Sequence, residues 1–422
     1  MGHGKKKKSG KKKRKSIDHS AATKYLQEWF YKTDSEEAIN NDFVPKSLKC
    51  TEAPVIFELH SHSTCSDGYL SPSAVVDRAH RNGVRVLALT DHDTMAGVPA
   101  ALEAARKYGI RVIPGVEISA IVPPRTDSGK GEPVHILAYY GSCGPANFSE
   151  IEECLANIRE GRYHRAETML LKLKALKMPL KWEHVARIAG DGVAPGRLHV
   201  ARAMVEARYV DNIKKAFSKY LYDDGPAYAM GSEILAETAI KIICRTGGVA
   251  ALAHPWALKN PVSVVRSLKE AGLHGIEVYR SDGKSAGFSE LADAYGLLKI
   301  GGSDFHGRGG PDETDLGKVP IPDSAMHEFL KVAQPIWCDA LKDILLSFAE
   351  SFESKLDKIV CPNGDMSLRC NVTGNKEETV ALHLSSWLTK EEKEVVEVEA
   401  VRLKLSHTVI SEEGKQMFVI SR

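Results

Sequence analysis

The chain has 422 residues, of which 43% are hydrophobic and 27% are charged, a composition typical of a soluble globular protein. That length allows one large barrel-type domain with accessory parts, and no stretch approaches the roughly 18 uninterrupted apolar residues of a membrane span. The eight cysteines are scattered without a Cys-x-x-Cys pair, which argues against a disulfide framework or a thiolate zinc site and favours a reducing compartment.

The chain begins with a strongly basic segment. Residues 1–16 carry nine Lys or Arg and no acid, whereas the rest of the chain has 48 basic and 55 acidic residues. Residues 1–17 are predicted to be a disordered tail, and no apolar segment follows them as it would in a secretory signal. Such a tail favours nuclear import through a receptor or attraction to nucleic acid; a solubilising tail is the alternative. We expect an intracellular location, the nucleus rather than the cytoplasm, and no membrane contact.

From Val55 the sequence alternates short apolar runs with helical segments. Residues 18–54 are predicted to form a lead-in with a short helix, and residues 55–146 the first part of a β/α barrel. The predicted elements here are Val55–Leu59, Ser73–Asn82 (helix), Val84–Leu89, Thr94–Tyr108 (helix), Ile110–Glu117 and Val134–Tyr140. Because helices of about 10–15 residues separate the apolar runs, we expect parallel strands with right-handed crossovers.

This rhythm is interrupted once and then resumes. Residues 147–247 carry Leu, Ala, Lys and Arg at three- and four-residue spacings, which predicts an all-helical insertion over the barrel mouth. In residues 248–322 the predicted strands are Val249–Ala253, Gly275–Tyr279 and Leu298–Gly302. The total is about seven strands, and barrels of this kind place their chemistry at the carboxyl ends of the strands. Residues 323–422 are predicted to be a small α+β extension of unknown role, with a hairpin near 412–414.

Nine potential metal ligands accompany these apolar runs. Six are imidazoles and three are carboxylates: His60, His62, Asp67, His92, Glu117, His135, His254, Asp304 and His306. On extended backbone, residues two apart point to the same side, so His60 and His62 can chelate one ion. Asp67 lies in a Ser-Asp-Gly turn that can return its carboxylate to the same mouth. Nitrogen and oxygen donors together favour two or three ions of Mn²⁺, Fe²⁺ or Zn²⁺ over Ca²⁺ or copper.

The strength of the metal-site prediction comes from the combination. A lone His-x-His is weak evidence, but here it occurs with Thr90–Asp93, Gly115–Ser119, Ala253–Pro255 and Gly302–His306. The alternative is that all nine are polar residues hydrogen-bonded at the beginnings of loops. A folded core does not need so many imidazoles and acids for packing, so the metal site is favoured.

With these motifs in place, the chain resembles the polymerase and histidinol phosphatase (PHP) superfamily, in its branch of nucleotide phosphoesterases with a helical insertion. The resemblance runs from Phe57 to Gly317. It implies a distorted seven-stranded β/α barrel, the PHP fold, with a trinuclear metal centre. Two or three divalent ions are the expected cofactor, and the donor set suits Mn²⁺ first, with Fe or Zn²⁺ as alternatives.

The resemblance also implies how the ligands are shared. Residues His60, His62, Glu117 and Asp304 would hold the first metal, Asp67, His92 and His306 the second, and Glu117 with His135 and His254 the third. Every position of the family pattern is filled by a competent ligand. Of these residues, Asp304, His306, Asp67 and Glu117 are the ones we predict to be catalytic.

Such a centre favours phosphoester hydrolysis. Metal ions lower the pKa of a bound water, supply hydroxide near neutral pH and neutralise charge on phosphoryl oxygens. No side-chain nucleophile is then needed, and the chain has neither a G-x-S-x-G elbow nor a G-x-x-x-x-G-K-[ST] phosphate loop. Asp91 and Asp93 flank His92 and could orient it, or could serve loop hydrogen bonds and helix capping.

Substrate contacts are predicted from the insertion and from the last motif. Arg197 and His199, in Pro195–His199, resemble the G-R-P-H element of the nucleotide phosphatase branch, with Leu198 in place of the proline. Guanidinium suits bidentate phosphate recognition, so Arg197 is a predicted phosphate contact. Arg308, two residues after His306, is a second one. Tyr228 also matches the branch, but a packing role is an equal alternative.

The implied substrate is a nucleotide phosphoester. A 3′,5′-bisphosphonucleotide that loses its 3′ phosphate is the main prediction, and a short 5′-phosphorylated RNA trimmed from its 5′ end is the alternative. An acidic body argues against an extended nucleic-acid groove. Less favoured are a metal-dependent amidohydrolase, which usually needs a metal-bridging lysine absent from these strand ends, and a non-catalytic nucleic-acid-binding protein. The oligomeric state is not predicted.

Overall fold

The computed structural model describes residues 19–31, 54–123, 131–231, 233–310, 313–354, 381–384, 388–412 and 415–421. The basic tail, most of the lead-in and the turn at 413–414 lie outside these residues. Among the described residues, no helix is both long and apolar enough to cross a bilayer.

One sheet of eight strands forms the centre of the protein. Seven strands follow the order β1-β2-β3-β4-β6-β7-β8, and the short β5 pairs with β3. The bounds are Ile56–Glu58 (β1), Val84–Leu89 (β2), Arg111–Val122 (β3), Glu132–Tyr139 (β4), Ile234–Leu235 (β5), Val249–Leu252 (β6), Gly275–Tyr279 (β7) and Leu298–Gly301 (β8). Helices connect most of them, so the predicted α/β class is confirmed.

The prediction that all strands run parallel is wrong for β4. It pairs antiparallel with β3, through registers such as Ser119 opposite His135, and antiparallel with β6. The cause is local: β3 is twelve residues long, and its second half continues directly into the hairpin with β4 instead of into a crossover helix. Because β4 runs the other way, His135 near its start lies at the edge where the other strands end.

The two edges of the curved sheet meet at the same mouth. Strands β1 and β8 are not paired with each other, but the segments after them form a single parallel bridge between Ser61 and Phe305. The His62 N–H donates to the Phe305 carbonyl at 2.8 Å. Gly302 allows this approach, since a Cβ there would lie 2.6 Å from the His60 nitrogen. The seven strands therefore form a distorted barrel closed at its mouth.

Helices cover the outer face of this barrel. They are Pro72–Arg81 (α2), Val98–Arg106 (α3), the first half of Phe148–Ala175 (α4), Ala236–Arg245 (α8), Pro261–Glu270 (α9) and Ala286–Tyr295 (α10). Their buried side chains share one core with outward-facing strand residues such as Leu87, Val116, Ile136 and Leu252. Helix α8 lies within the predicted 147–247 insertion, yet it packs on the sheet.

A second core fills the inner face. Strand residues such as Phe57, Val86, Leu137 and Ile300 pack there against His19–Tyr31 (α1) and the first half of Asp323–Ser354 (α11). Alternation along each strand sends neighbours to opposite faces, which explains why the apolar runs are nearly continuous. Helix α11 thus gives the region beyond residue 322 a structural role that the sequence did not indicate.

The cap over the barrel mouth has a core of its own. It consists of the second half of α4, Trp182–Ala189 (α5), Arg197–Glu206 (α6), Ile213–Ala216 (α7) and a π-helical turn at Phe217–Leu221. Beyond the barrel, the end of α11 packs on Lys390–Arg402 (α12) and a three-stranded antiparallel sheet, Ala381–His383 (β9), Ser406–Glu412 (β10) and Lys415–Ser421 (β11). Strands β10 and β11 pair antiparallel on either side of the predicted hairpin turn.

Candidate metal centre

All nine predicted ligands converge at the mouth of the barrel. They come from six strands or the segments after them: β1 (His60, His62, Asp67), β2 (His92), β3 (Glu117), β4 (His135), β6 (His254) and β8 (Asp304, His306). Four of these side chains are buried, those of His60, His62, Glu117 and His306, whereas Asp304 is 43% exposed. The barrel therefore gathers residues that are 246 positions apart in number, from 60 to 306, into one polar cluster.

Glu117 lies at the centre of the cluster. Its Oε2 is 3.1 Å from Nε2 of both His60 and His62, and its Oε1 is 2.8 Å from Nδ1 of His135 and 3.1 Å from Nε2 of His254. One carboxylate thus contacts four histidines from three strands or their following loops. Such a group can bridge several cations.

Four overlapping groups have ligand atoms within 4.8 Å of one another. They are His62, Asp67, His92 and His306; His60, His62 and Asp304; His92, Glu117 and His135; and His60, His254 and Glu277. The first three resemble the sharing that the family resemblance implies. The assignment of individual ligands to individual ions stays a prediction.

Within the cluster, the carboxylates and the histidines shift one another's pKa values. Burial opposes ionisation of Asp67, but the charges of His306 and His92 outweigh it and hold the pKa of that carboxyl well below its usual range. Burial likewise opposes protonation of His62, yet hydrogen bonds with Asp304 and Glu117 raise the pKa of His62 to about 10. The carboxylates of the cluster therefore favour positive charge beside them, which divalent cations can supply.

The donor set fits divalent metal ions. Nδ1 of His62 and Nδ1 of His92 are buried, and neither makes a hydrogen bond within the described part of the chain. A buried imidazole nitrogen without a partner is costly unless another ligand satisfies it. Both rings belong to the four-residue group with Asp67 and His306, which offers three nitrogens and one oxygen, a donor set suited to Mn²⁺, Fe²⁺ or Zn²⁺.

Two buried acids support the ligands, and sequence reasoning missed both. Glu277 on β7 accepts a hydrogen bond from His60 Nδ1 at 2.9 Å and another from the His254 backbone N–H at 2.9 Å. Glu58 on β1 accepts from the backbone N–H groups of His60, Ser303 and Gly317. A charged residue inside a short apolar strand is the signal that could have found them, because an unpaired acid is rarely fully buried.

Orientation of His92 is one predicted role of Asp91 and Asp93, but their carboxylates make other contacts. The Asp91 carboxylate accepts hydrogen bonds from the Ser63 N–H and from the hydroxyls of Ser63 and Ser66, which fixes the loop before Asp67. Asp93 pairs with Arg162 of the cap helix α4, with Nε 2.5 Å from Oδ2. The alternative of loop hydrogen bonding therefore describes Asp91.

Three non-glycine residues at this edge have left-handed backbone conformations. They are Asp93 (φ 54°), His254 (φ 47°) and Asp304 (φ 51°). Such conformations cost roughly 1–3 kcal/mol each and persist where surrounding contacts impose them. Here each one redirects the chain within one residue of a strand-end ligand or at the ligand itself.

A cavity of about 590 Å³ opens beside the cluster. One part of its lining comes from the cluster itself, namely His135, His254 and Asp304, and another part contains Arg197 and Tyr228 from the cap. Arg197 forms an ion pair with Asp223, with Nη1 2.6 Å from Oδ1, and its guanidinium lies 5.6 Å from the centre of the Tyr228 ring. The cap therefore places the positively charged Arg197 side chain, fixed by Asp223 and Tyr228, at the same cavity as the cluster.

The other two predicted substrate contacts, His199 and Arg308, do not line this cavity. His199 is 2% exposed, and its Nδ1 accepts a hydrogen bond from the Gly196 N–H at 2.9 Å. Burial lowers the pKa of His199 to about 4, and the ring supports the start of α6 through its contact with Gly196. Its contact with substrate stays a prediction. Arg308 is exposed and is not part of the cavity lining.

The sequence was compared with known protein families and proteins. Residues 58–271 match the PHP domain. The chain is 33% identical over 289 residues to a 3′,5′-nucleoside bisphosphate phosphatase of Chromobacterium violaceum, covering 66% of this chain and 94% of that protein. It is also 33% identical over 271 residues to the 5′-3′ exoribonuclease Rnm of Salmonella typhimurium, covering 62% of this chain and 88% of that protein.

Solved structures agree on the fold. A protein of Bifidobacterium adolescentis assigned as a metal-dependent phosphoesterase superposes with a TM-score of 0.56 at 29% identity, over 65% of this chain and 95% of that one. A protein of Chromobacterium violaceum described as an amidohydrolase, with bound sulfate and no metal, superposes with a TM-score of 0.57 at 32% identity, over 65% and 96%. Together with the match to the PHP domain, these similarities confirm the predicted family.

Proposed function

Because the chain belongs to the PHP domain family and is a metal-dependent phosphoesterase, we propose that its substrate is a 3′,5′-bisphosphonucleotide, from which it removes the 3′ phosphate. The observation that carries this proposal is the shared cavity. Its lining contains part of the ligand cluster and also the guanidinium of Arg197. A substrate with two separate phosphates can place one at each.

The size of the cavity supports a mononucleotide. Small-molecule sites usually measure about 300–1,000 Å³, and this cavity of about 590 Å³ lies in the middle of that range. A single nucleotide with two phosphates would fit such a volume, whereas a longer polynucleotide would have to extend out of it. Size therefore favours the bisphosphonucleotide over the RNA substrate.

Arg197 is proposed to bind the phosphate that is not cleaved. Asp223 and the Tyr228 ring hold its guanidinium in place, so little side-chain entropy is lost when the phosphate binds. Planar guanidinium can donate two parallel hydrogen bonds to one phosphate. Anchoring the 5′ phosphate there would direct the 3′ phosphate towards Asp304, the exposed member of the cluster.

The nine ligands are proposed to hold two or three divalent ions, with Mn²⁺ as the first choice and Fe or Zn²⁺ as the others. Bound ions of this kind lower the pKa of a coordinated water and neutralise charge on the phosphoryl oxygens. The chain's own residues fix the ligands: Glu277 accepts from His60 Nδ1, which leaves Nε2 of that ring directed at the cluster. This arrangement requires no side-chain nucleophile.

A 5′-3′ exoribonuclease is the second candidate, and the 33% identity to the Salmonella typhimurium enzyme favours it. The same Arg197 would bind the 5′ phosphate of a short RNA. The basic tail is proposed to support either nuclear import or RNA attraction, because its nine Lys and Arg precede an acidic body. Deletion of residues 1–16 is expected to change cellular location or salt-dependent RNA affinity and to leave turnover of a mononucleotide unchanged.

The test compares matched substrates with the metal-reconstituted protein. Phosphate release from adenosine 3′,5′-bisphosphate, with adenosine 5′-monophosphate as the product and no further cleavage, is expected. If the protein shortens a 5′-phosphorylated oligoribonucleotide but does not cleave adenosine 3′,5′-bisphosphate, the exoribonuclease is favoured. Hydrolysis of N-acyl amino acids alone would instead favour an amidohydrolase. Inertness on all three after reconstitution with Mn²⁺, Fe²⁺ and Zn²⁺ would contradict the proposal.

A further inference from the structure

We infer that Trp256 forms a nucleobase subsite, on which the base of the substrate stacks while its phosphate lies at the ligand cluster. The inference rests on the proposed function and adds the part of the substrate that the metals and Arg197 do not contact. It predicts that the site recognises the base of a nucleotide and therefore distinguishes a nucleotide from a sugar bisphosphate without a base.

The position of Trp256 follows from the local backbone. It lies in a single 3₁₀ turn, Pro255–Ala257, immediately after His254, whose left-handed conformation redirects the chain out of β6. The indole consequently packs edge-on against the His254 imidazole, with ring centres 5.7 Å apart. An aromatic ring is thus adjacent to a predicted ligand.

Contacts outside the cavity hold the indole in place. The Arg280 guanidinium lies over the ring, 4.2 Å from its centre, and Arg280 is itself paired with Asp282 at 2.8 Å. Phe288 packs edge-on at 6.2 Å. Neither Arg280 nor Phe288 belongs to the cavity lining, whereas Trp256 does. The ring is therefore supported by neighbours outside the cavity, and part of the residue lines the cavity.

The surroundings of Trp256 in the cavity suit a flat apolar ligand. Leu258, Val264 and Met230 line the same cavity, and Met230 is 47% exposed. Tyr228 is the other aromatic side chain in the lining, but the Arg197 guanidinium lies near its ring centre and uses that surface. Among the described lining residues, the indole is thus the aromatic surface best placed for a base.

Stacking has a consequence for selectivity. It recognises the π-face that all bases share, so discrimination among bases should be small, with purines favoured by their larger area. Stacking of one base on an aromatic side chain contributes affinity on the order of 10-fold or more. The subsite should therefore discriminate strongly between a nucleotide and its abasic analogue, and weakly between nucleotides.

The experiment pairs two ligands with three variants. Adenosine 3′,5′-bisphosphate is compared with the abasic 1,2-dideoxyribose 3,5-bisphosphate for the wild type, Trp256→Ala, Trp256→Phe and the control Trp182→Phe in the cap. In the wild type, KM for the abasic ligand is expected to be higher by about 10-fold or more. Trp256→Ala should remove that difference by raising KM for the nucleotide only, and Trp256→Phe should restore most of it.

Fluorescence provides a readout without turnover. Adenosine 5′-monophosphate should quench the tryptophan emission of the wild type and of Trp182→Phe, but not that of Trp256→Phe. Two results would overturn the inference and show that the indole serves only protein packing. One is an equal rise in KM for both ligands in Trp256→Ala, and the other is unchanged fluorescence quenching in Trp256→Phe. If the wild type cleaves neither bisphosphate, the proposed function itself fails, and the two failures are thereby distinguished.

Discussion

Asp304 is the residue at which the ligand cluster meets the cavity. Its carboxylate lies 3.2 Å from Nε2 of His62 and 3.5 Å from Nε2 of His60, and it is 43% exposed although its histidine neighbours are buried. Exposure on the cavity side makes it the ligand that a substrate phosphate would approach. Its loss should therefore affect catalysis more than folding.

We expect Asp304→Ala to lower kcat by at least about 100-fold, because metal-ion stabilisation of the transition state contributes several kcal/mol. Phosphate release from adenosine 3′,5′-bisphosphate measures the effect. Asp339→Ala is the matched control, since Asp339 lies on α11, away from the cluster in the fold, and pairs with the neighbouring Lys342. Full activity in the Asp304 variant would contradict the ligand assignment.

Glu277 is predicted to position two histidines at once. Its two oxygens accept from His60 Nδ1 and from the His254 N–H, and an amide side chain has only one oxygen to offer. Glu277→Gln should therefore weaken metal binding by about 10–100-fold, the usual range for a carboxylate that orients a ligand histidine. Competition against a chromogenic chelator measures the affinity. An unchanged affinity would reduce Glu277 to a packing role.

At the scale of elements, the cap and the barrel are joined by Arg162 of α4. Its Nε lies 2.5 Å from Oδ2 of Asp93, and its Nη2 donates to the Ser119 hydroxyl at 2.7 Å. Arg159, one turn earlier, donates to the Asp93 carbonyl. Since the Asp93 N–H donates to the Glu117 carbonyl, the cap helix is linked to the backbone of a predicted ligand.

Arg162→Met should leave the Asp93 carboxylate buried without its charged partner. Breaking a buried pair in this way costs about 3–5 kcal/mol. We expect the free energy of unfolding by urea to fall by that order, and the double variant Arg162→Met with Asp93→Asn to recover part of it. Additive losses in this double-mutant cycle would show that the two residues are not coupled.

The direction of β4 is a feature that local sequence patterns could not predict. Short apolar runs predicted the extents of β2, β6 and β7 within a residue or two, because these depend on local preferences. Whether β3 turns back into a hairpin depends on the pairing of Ser119 with His135, which no local pattern encodes. For the same reason, His199 matched a motif while its burial against the loop of Ser66 could not be foreseen.

At the scale of the whole molecule, the cluster connects strands that otherwise meet only through the sheet. Ligands come from β1, β2, β3, β4, β6 and β8 or the segments after them, and Glu277 adds β7. The two edges β1 and β8 join through one bridge. Cations bound at this point would therefore link β1 and β8, the first and last strands of the barrel, across the seam where the two strands are joined by a single bridge.

Removal of metal should consequently destabilise the entire barrel. Binding to the folded state alone stabilises it by about 2.7 kcal/mol when the free ion is at 100 times its Kd. We expect the chelator-treated protein to melt several degrees lower than the protein with Mn²⁺, Fe²⁺ or Zn²⁺, by differential scanning calorimetry. Ca²⁺ should raise the Tm little, because nitrogen donors dominate the group of His62, Asp67, His92 and His306. In Asp304→Ala the increase should shrink, since one carboxylate of the seam is lost. Equal Tm values with and without every transition metal would mean that the cluster holds no ion.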